Sequence, residues 1–181
     1  MIQTILLIVV LLIVIGILFW LLSVLLMTIF SSPTVYAYDE AIEDSLKLAK
    51  LKRGELVVDL GCGNAKSLII AAKKFGAKGA GVEISPYCYL LANWRVFLAG
   101  ERKNVKIIYG DFKKARKYLE KADVVYLYLL NSTLKNIETW FFKSVGKNTR
   151  VVSLAFVFPN HKPIKTKTTY NLGKKTTIRL Y

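Results

Sequence analysis

Charge is missing from the first part of this chain. No Asp, Glu, Lys or Arg precedes Asp39, so all 27 basic and 12 acidic residues, and the net charge of +15, fall on residues 39–181. Cysteine and histidine are scarce as well. Cys62 and Cys88 form no CxxC pair and His161 is the only histidine, which excludes a disulfide scaffold and leaves too few ligands for a Cys/His zinc site. No metal is expected, and the cysteine usage points to a reducing compartment. With 11 Gly and 4 Pro against 54% hydrophobic residues, disordered and collagen-like chains are excluded too. A length of 181 residues allows one ordinary domain and little more.

What the first segment has instead of charge is a run from Ile5 to Phe30 that is apolar apart from Ser23 and Thr28. As a helix it would reach about 39 Å, more than a bilayer core of roughly 30 Å. A secretory signal has a basic start and a shorter apolar stretch, although Val35-Tyr36-Ala37 has the form of a small-residue cleavage site. A buried core helix is the alternative, but a helix apolar on every face offers no polar side to water. The expectation is a membrane anchor over residues 1–32 and a second unit over 33–181. Lys47, Lys50, Lys52 and Arg53 follow the span, so the positive-inside bias puts that unit on the cytoplasmic side.

After Ser31-Ser32-Pro33, the run DEAIEDSLKLAKL has helical spacing, with acids early and lysines late as the helix dipole prefers. Short apolar runs then alternate with helical patterns. Strands are expected at 55–60, 79–84, 105–109, 124–130 and 150–156, with helices from 67 to about 76 and at 86–98, 113–120 and 134–145. Crossover connections imply a mostly parallel sheet covered on both faces. Lys165–Tyr170 and Thr176–Tyr181, separated by Asn171-Leu172-Gly173, predict an antiparallel hairpin at one edge.

Ligands of open parallel sheets sit beyond the carboxyl ends of the strands, near the point where the winding reverses. Three loops qualify. Asp59-Leu60-Gly61-Cys62-Gly63-Asn64-Ala65-Lys66 follows the first strand, and two glycines there allow the backbone to approach a ligand closely. Alone, such a pair is compatible with plain turn chemistry. Glu83 ends the second strand about twenty residues on, where a carboxylate can accept from both hydroxyls of a ribose. Asp111-Phe112 follows the third, offering a carboxylate and a ring to a purine.

With these motifs, VVDLGCGNAKSL, GVEIS and IIYGDF, the sequence resembles the class I S-adenosylmethionine-dependent methyltransferases over nearly all of residues 33–181. The resemblance implies a Rossmann-like α/β sheet with S-adenosyl-L-methionine as cofactor. It assigns Asp59, Gly61 and Gly63 to the methionine end, Glu83 to the ribose and Asp111 with Phe112 to the adenine, and it places Cys62, Asn64 and Ile84 among the cofactor-binding residues. A nicotinamide-binding reading shares the first loop and the acid, but GDF and the terminal hairpin favour the methyltransferase. The segments PTVYAYDEAIEDSLKLA, VVYLYLLNSTLKNI and GKNTRVVSLAFVFPNHKP are further similar to the small archaeal protein-lysine methyltransferases. Their mitochondrial relatives, acting on the ATP synthase c subunit and the adenine nucleotide translocase, share the likeness. Where those enzymes carry an acidic-glycine pair after the loop, this chain has Asn64-Ala65, which predicts looser contacts to the methionine end.

Methyl transfer to lysine requires the neutral amine, whose ordinary pKa of about 10.4 makes it scarce at neutral pH. Positioning and burial of that amine can supply the catalysis without a dedicated base. Tyr36, Tyr38 and Asn131 are candidates beside the methyl group. Equally, the two tyrosines can be interfacial anchors and Asn131 a helix cap. The basic clusters Lys113-Lys114/Arg116-Lys117, Lys143/Lys147/Arg150 and Lys162–Lys175 suit anionic headgroups or nucleic acid. Against base methylation, the fourth strand ends in Leu-Leu-Asn-Ser in place of an Asn/Asp-Pro-Pro-Tyr-like loop. A membrane-associated protein substrate is therefore expected. RNA, a lipid or quinone headgroup, and a degenerate cofactor-binding module are the alternatives.

Overall fold

The computed structural model describes residues 2–30, 37–171 and 173–181. Helix α1 runs over Ile2–Phe30, and Ile2–Leu25 is long and apolar enough to cross a membrane. Helix α2 (Asp39–Leu48) is amphipathic and buries Ala41, Ile42, Ser45 and Leu46.

Five parallel strands then alternate with helices: β1 (Leu56–Leu60), α3 (Lys66–Phe75), β2 (Lys78–Glu83), α4 (Pro86–Leu98) and β3 (Val105–Tyr109). A 3₁₀ turn (Phe112–Ala115) and α5 (Arg116–Leu119) lead to β4 (Val124–Leu127), α6 (Asn131–Ser144) and β5 (Arg150–Leu154). The chain ends in β6 (Lys165–Asn171) and β7 (Lys174–Leu180), paired antiparallel, with β7 antiparallel to β5. The order across the sheet is β3-β2-β1-β4-β5-β7-β6. Because β1 pairs with both β2 and β4, the winding reverses between β1 and β4.

Both faces of the central strands are buried. Val57 and Tyr126 face a layer containing Leu46, Leu68 and Ala71, while Val58, Leu60 and Val125 face Leu119, Leu134 and Phe141. Phe141 stacks on Phe158 from the segment after β5, with ring centroids 5.5 Å apart. Burying one such side chain contributes roughly 1.5–3 kcal/mol.

The mixed sheet and terminal hairpin match the expectation, and α4 and β3 fall on the residues anticipated. The differences lie at the strand ends. The fourth strand stops at Leu127, before Leu130, and Leu129 turns into the core beside Gly61. The fifth stops at Leu154, before Phe156, where Ala155 takes φ +67°. The segment read as a helix at 113–120 divides into the 3₁₀ turn and α5, and α6 begins at Asn131, earlier than the expected 134.

Candidate functional site

The carboxyl ends of β1, β2 and β3 meet around the loop Gly61–Ala65. Gly61 (φ +74°) and Cys62 both donate their backbone N–H to the Val82 carbonyl, at 2.8 and 3.1 Å, which folds the loop over β2. Gly61 itself is exposed, and a Cβ built on it would stand 3.1 Å from Leu129 Cδ2 and 3.9 Å from Phe112 Cε1. The first glycine, the residue after the third strand and the rim after the fourth are thus brought together. Gly63 (φ +54°) has open space at its Cβ position.

Glu83 is buried at the end of β2 and holds this arrangement. Its Oε2 accepts from Gly63 N and its Oε1 from Ser85 N, each at 2.8 Å. Each carboxylate oxygen keeps a second acceptor position. Ser85 then caps α4 by accepting from Cys88 N at 3.3 Å, and Ile84 stands exposed between them. Asp111 is exposed and accepts from Lys113 N at 3.0 Å, capping the 3₁₀ turn, while Phe112 is half-buried beside Gly61.

Asp59 points to the α3 side of the sheet, buried, and accepts from the Ser67 hydroxyl. Burial pushes its pKa up to about 7, the nearby Glu83 charge adds to the rise, and the Ser67 hydrogen bond opposes it. Tyr126, its register partner on β4, is also buried, and its hydroxyl has no hydrogen-bond partner among the described residues. The Cys62 side chain turns inward toward Gly81, where burial raises its thiol pKa, so only its backbone belongs to the loop surface.

Asn64 Oδ1 accepts from Lys66 N at 3.2 Å, and Ala65 takes φ +60° with its methyl buried. That is the left-handed backbone a glycine adopts without cost, held here by an alanine. Lys66 opens α3, forms an ion pair with Asp39 at 2.6 Å and donates to the Ala37 carbonyl at 3.2 Å.

Tyr38 lies on the same rim, exposed, with the Lys66 ammonium 5.9 Å from its ring centroid. Its backbone N–H donates to Asn171 Oδ1 at 2.8 Å, and Asn171 Nδ2 donates to the Tyr128 hydroxyl at 2.9 Å. Tyr128 packs against Phe156, centroids 5.6 Å apart. Tyr128, Phe156 and Asn171 were not singled out in the sequence. Tyr128 and Phe156 occupy the loops after β4 and β5, but Asn171 arrives from the edge hairpin, and no local pattern marks it. Tyr36 lies outside the described residues. Asn131 begins α6 yet does not cap it: its Oδ1 accepts from Val157 N at 3.0 Å, tying the segment after β5 to the rim.

That segment has its own clamp. Buried Glu138 on α6 accepts from Asn160 N and Asn160 Nδ2, each at 2.9 Å, and lies 2.7 Å from His161 Nδ1. The His161 ring stacks on Phe142 at 3.6 Å between centroids. Among the described residues no cluster of three His, Cys, Asp or Glu is arranged to hold a metal ion.

The arrangement fits a nucleoside with a cationic tail. The exposed Gly61 gives backbone access, Glu83 retains acceptor positions for a diol, Phe112 offers a ring at the loop, and Asp59 supplies a buried carboxyl behind it. Comparison with known proteins agrees. The family model described as the ANTKMT methyltransferase domain matches residues 59–165. A protein-lysine N-methyltransferase of Saccharolobus islandicus (strain REY15A) is 29% identical over 150 residues, covering 82% of this chain and 92% of the relative. A solved RNA methyltransferase from Salinibacter ruber, in complex with S-adenosyl-L-homocysteine, is 30% identical with a TM-score of 0.73, covering 80% of this chain and 92% of that one. The B. subtilis tRNA methyltransferase TrmK, 15% identical with a TM-score of 0.64, shares the fold over 75% of this chain and 63% of its own.

Proposed function

From the premise that the chain belongs to the ANTKMT methyltransferase domain family, whose model matches residues 59–165, we propose that it transfers the methyl group of S-adenosyl-L-methionine to lysine side chains of a membrane-associated protein. Residues 1–32 are the anchor and residues 33–181 the methyltransferase domain, on the cytoplasmic face. The observation that carries the cofactor assignment is Glu83, buried between the glycine loop and α4 with acceptor positions to spare. In this reading Glu83 and Ile84 hold the ribose, Asp111 and Phe112 the adenine. Asp59 and the backbone of Gly61, Cys62, Gly63 and Asn64 surround the methionine end.

The cofactor supplies an activated methyl on a sulfonium. When bound, it would offer that carbon to a neutral lysine amine, with the carbon–sulfur electron pair left on sulfur and the amine's surplus proton passing to solvent. The chain's part is alignment and exclusion of water, worth about 7–11 kcal/mol in well-oriented reactions. Tyr38 and Tyr128 with Phe156 wall the place where the amine enters. Aromatic faces attract the alkylammonium by about 0.5–2 kcal/mol, and partial burial favours its neutral form. Asn131 and Asn171 act by positioning this wall.

A second reading, methylation of RNA, draws on the Salinibacter ruber likeness and the net charge of +15. One experiment separates them. The full chain is incubated with methyl-labelled S-adenosyl-L-methionine and a membrane extract, and the label is divided among protease, nuclease and organic extraction. Label recovered as methyl-lysine is the expected result. Nuclease-sensitive label moves the substrate to RNA, organic-extractable label moves it to lipid, and the absence of both label and cofactor binding leaves a degenerate module.

A further inference from the structure

Helix α4 is apolar on two opposite sides. Cys88, Ala92 and Val96 are buried against the sheet. Tyr87, Leu90, Trp94, Phe97 and Leu98 form a second stripe facing outward, from 40% exposed at Tyr87 to 65% at Leu98. At about 100° per residue these five positions fall on a single face. The arrangement is not that of scattered surface hydrophobics, and a contiguous stripe of this kind marks a contact surface.

Three observations say what covers it. First, its composition is aromatic and its far end is cationic. Trp94 and Phe97 pack ring to ring, and the Arg102 guanidinium sits 5.4 Å from the Phe97 centroid. Arg102, Lys103 and Lys106 line a cavity of about 330 Å³ just beyond the helix. Trp and Tyr favour the headgroup level, and basic residues at its edge attract anionic lipid. Second, the candidate membrane helix touches α4. Ser23 is buried while the other residues from 2 to 25 are exposed, and its hydroxyl lies 3.1 Å from that of Ser85, the cap of α4. Third, the lengths agree. Ile2 to Leu22 of α1 extends about 31 Å, close to the roughly 30 Å bilayer core. The first polar contact of α1 with the fold thus falls where the hydrocarbon would end and α4 begins.

We infer that the outer face of α4 lies in the headgroup and upper acyl region of the same anionic bilayer that α1 crosses. The inference rests on reading α1 as a membrane span. Its consequence is orientation. Glu83 and Ser85 lie at the start of α4, so the rim of the cofactor site is held at the membrane surface, and lysines close to the bilayer are the ones within reach. Two attachments fix the tilt of the domain, which a single flexible tether leaves undetermined.

The test uses the full chain carrying Trp20→Phe, reconstituted into phosphatidylcholine/phosphatidylglycerol vesicles with and without phosphatidylcholine brominated near the headgroup end of its acyl chains. The emission of Trp94 is taken as the difference from the same chain with Trp94→Phe. An apolar helix face lying about 5–10 Å into the boundary is expected to lose at least about half of that emission to the bromines. Unquenched Trp94 in vesicles that retain the protein through an alkaline carbonate wash overturns the inference and leaves the anchor standing. Release of the protein by carbonate overturns the anchor, and the shared bilayer with it. A Leu90→Cys chain that links to a second copy in those vesicles assigns the face to self-association and overturns the inference as well.

Discussion

Gly63 and Glu83 are joined across the loop by a 2.8 Å hydrogen bond from the glycine amide to Glu83 Oε2, and the other carboxylate oxygen receives the Ser85 amide. The acid that the resemblance assigns to a ligand therefore also organises the loop that would receive it.

Replacing Glu83 with Gln separates these roles from simple bulk. The amide group must turn an N–H toward either Gly63 or Ser85, leaving a buried donor unsatisfied at a cost of about 1–3 kcal/mol. S-adenosyl-L-methionine affinity, followed by calorimetric titration, is expected to fall by about tenfold or more, while thermal unfolding stays cooperative. Unchanged affinity removes Glu83 from the cofactor site.

Tyr126 makes a contrasting prediction. Its hydroxyl is buried beside Asp59 with no partner among the described residues, so Tyr126→Phe removes a desolvated group without opening a cavity. Stability in urea denaturation is expected to hold or rise by up to about 1 kcal/mol. A loss of similar size would show that the hydroxyl finds a partner in solution.

Most of the fold was legible in the sequence because its signals are local. Apolar runs, the Pro86 start of α4 and the glycine after α3 each act within a few residues. The loop Gly61–Ala65 and Glu83 could be read for the same reason, since a strand end and a turn fix their place. What escaped was long-range. Asn171 reaches Tyr38 and Tyr128 only after the hairpin has closed the sheet edge, and Glu138 meets Asn160 and His161 only once α6 and the segment after β5 have packed. Of the two readings of Asn131, the helix cap is excluded by a long-range contact, since its side-chain oxygen accepts from Val157 N and not from its own helix.

Glu138 is expected to stabilise the rim without touching the cofactor. Burial alone would raise its pKa, but hydrogen bonds from His161 and Asn160 outweigh that and hold the carboxyl below its ordinary value. A depressed folded pKa contributes stability that is present above the unfolded value and lost as pH falls through the folded one. Glu138→Gln should therefore lose about 2 kcal/mol at neutral pH, seen as a melting point lower by about 4–8 °C, and lose less on acidification. Cofactor affinity should not change; a parallel fall in affinity would connect the clamp to the cofactor loops.

The anchor reading is checked by fractionation. The full chain is expected to stay in the membrane pellet through an alkaline carbonate wash, because extracting the apolar helix α1 exposes its whole surface to water. The chain shortened to residues 33–181 should be released. Release of the full chain would contradict the anchor.

Asp59 gives the sharpest pH test. Its folded pKa of about 7 lies above the ordinary 3.8, chiefly through burial. Between those values the folded state holds a proton that the unfolded chain has already lost, so stability should decline as pH rises from about 4 to 7 and level off above. Asp59→Asn should flatten that decline. Cofactor binding should run the other way. A cationic amino group brought near Asp59 favours the carboxylate, so binding near neutral pH expels a proton and affinity increases from about pH 6 to 8. Calorimetric titration at pH 7 in two buffers of different ionisation enthalpy measures that proton directly. Proton release in the natural chain and none in Asp59→Asn is expected. Binding heats independent of buffer in both would place the charged end of the cofactor away from Asp59, leaving the acid a structural partner of Ser67.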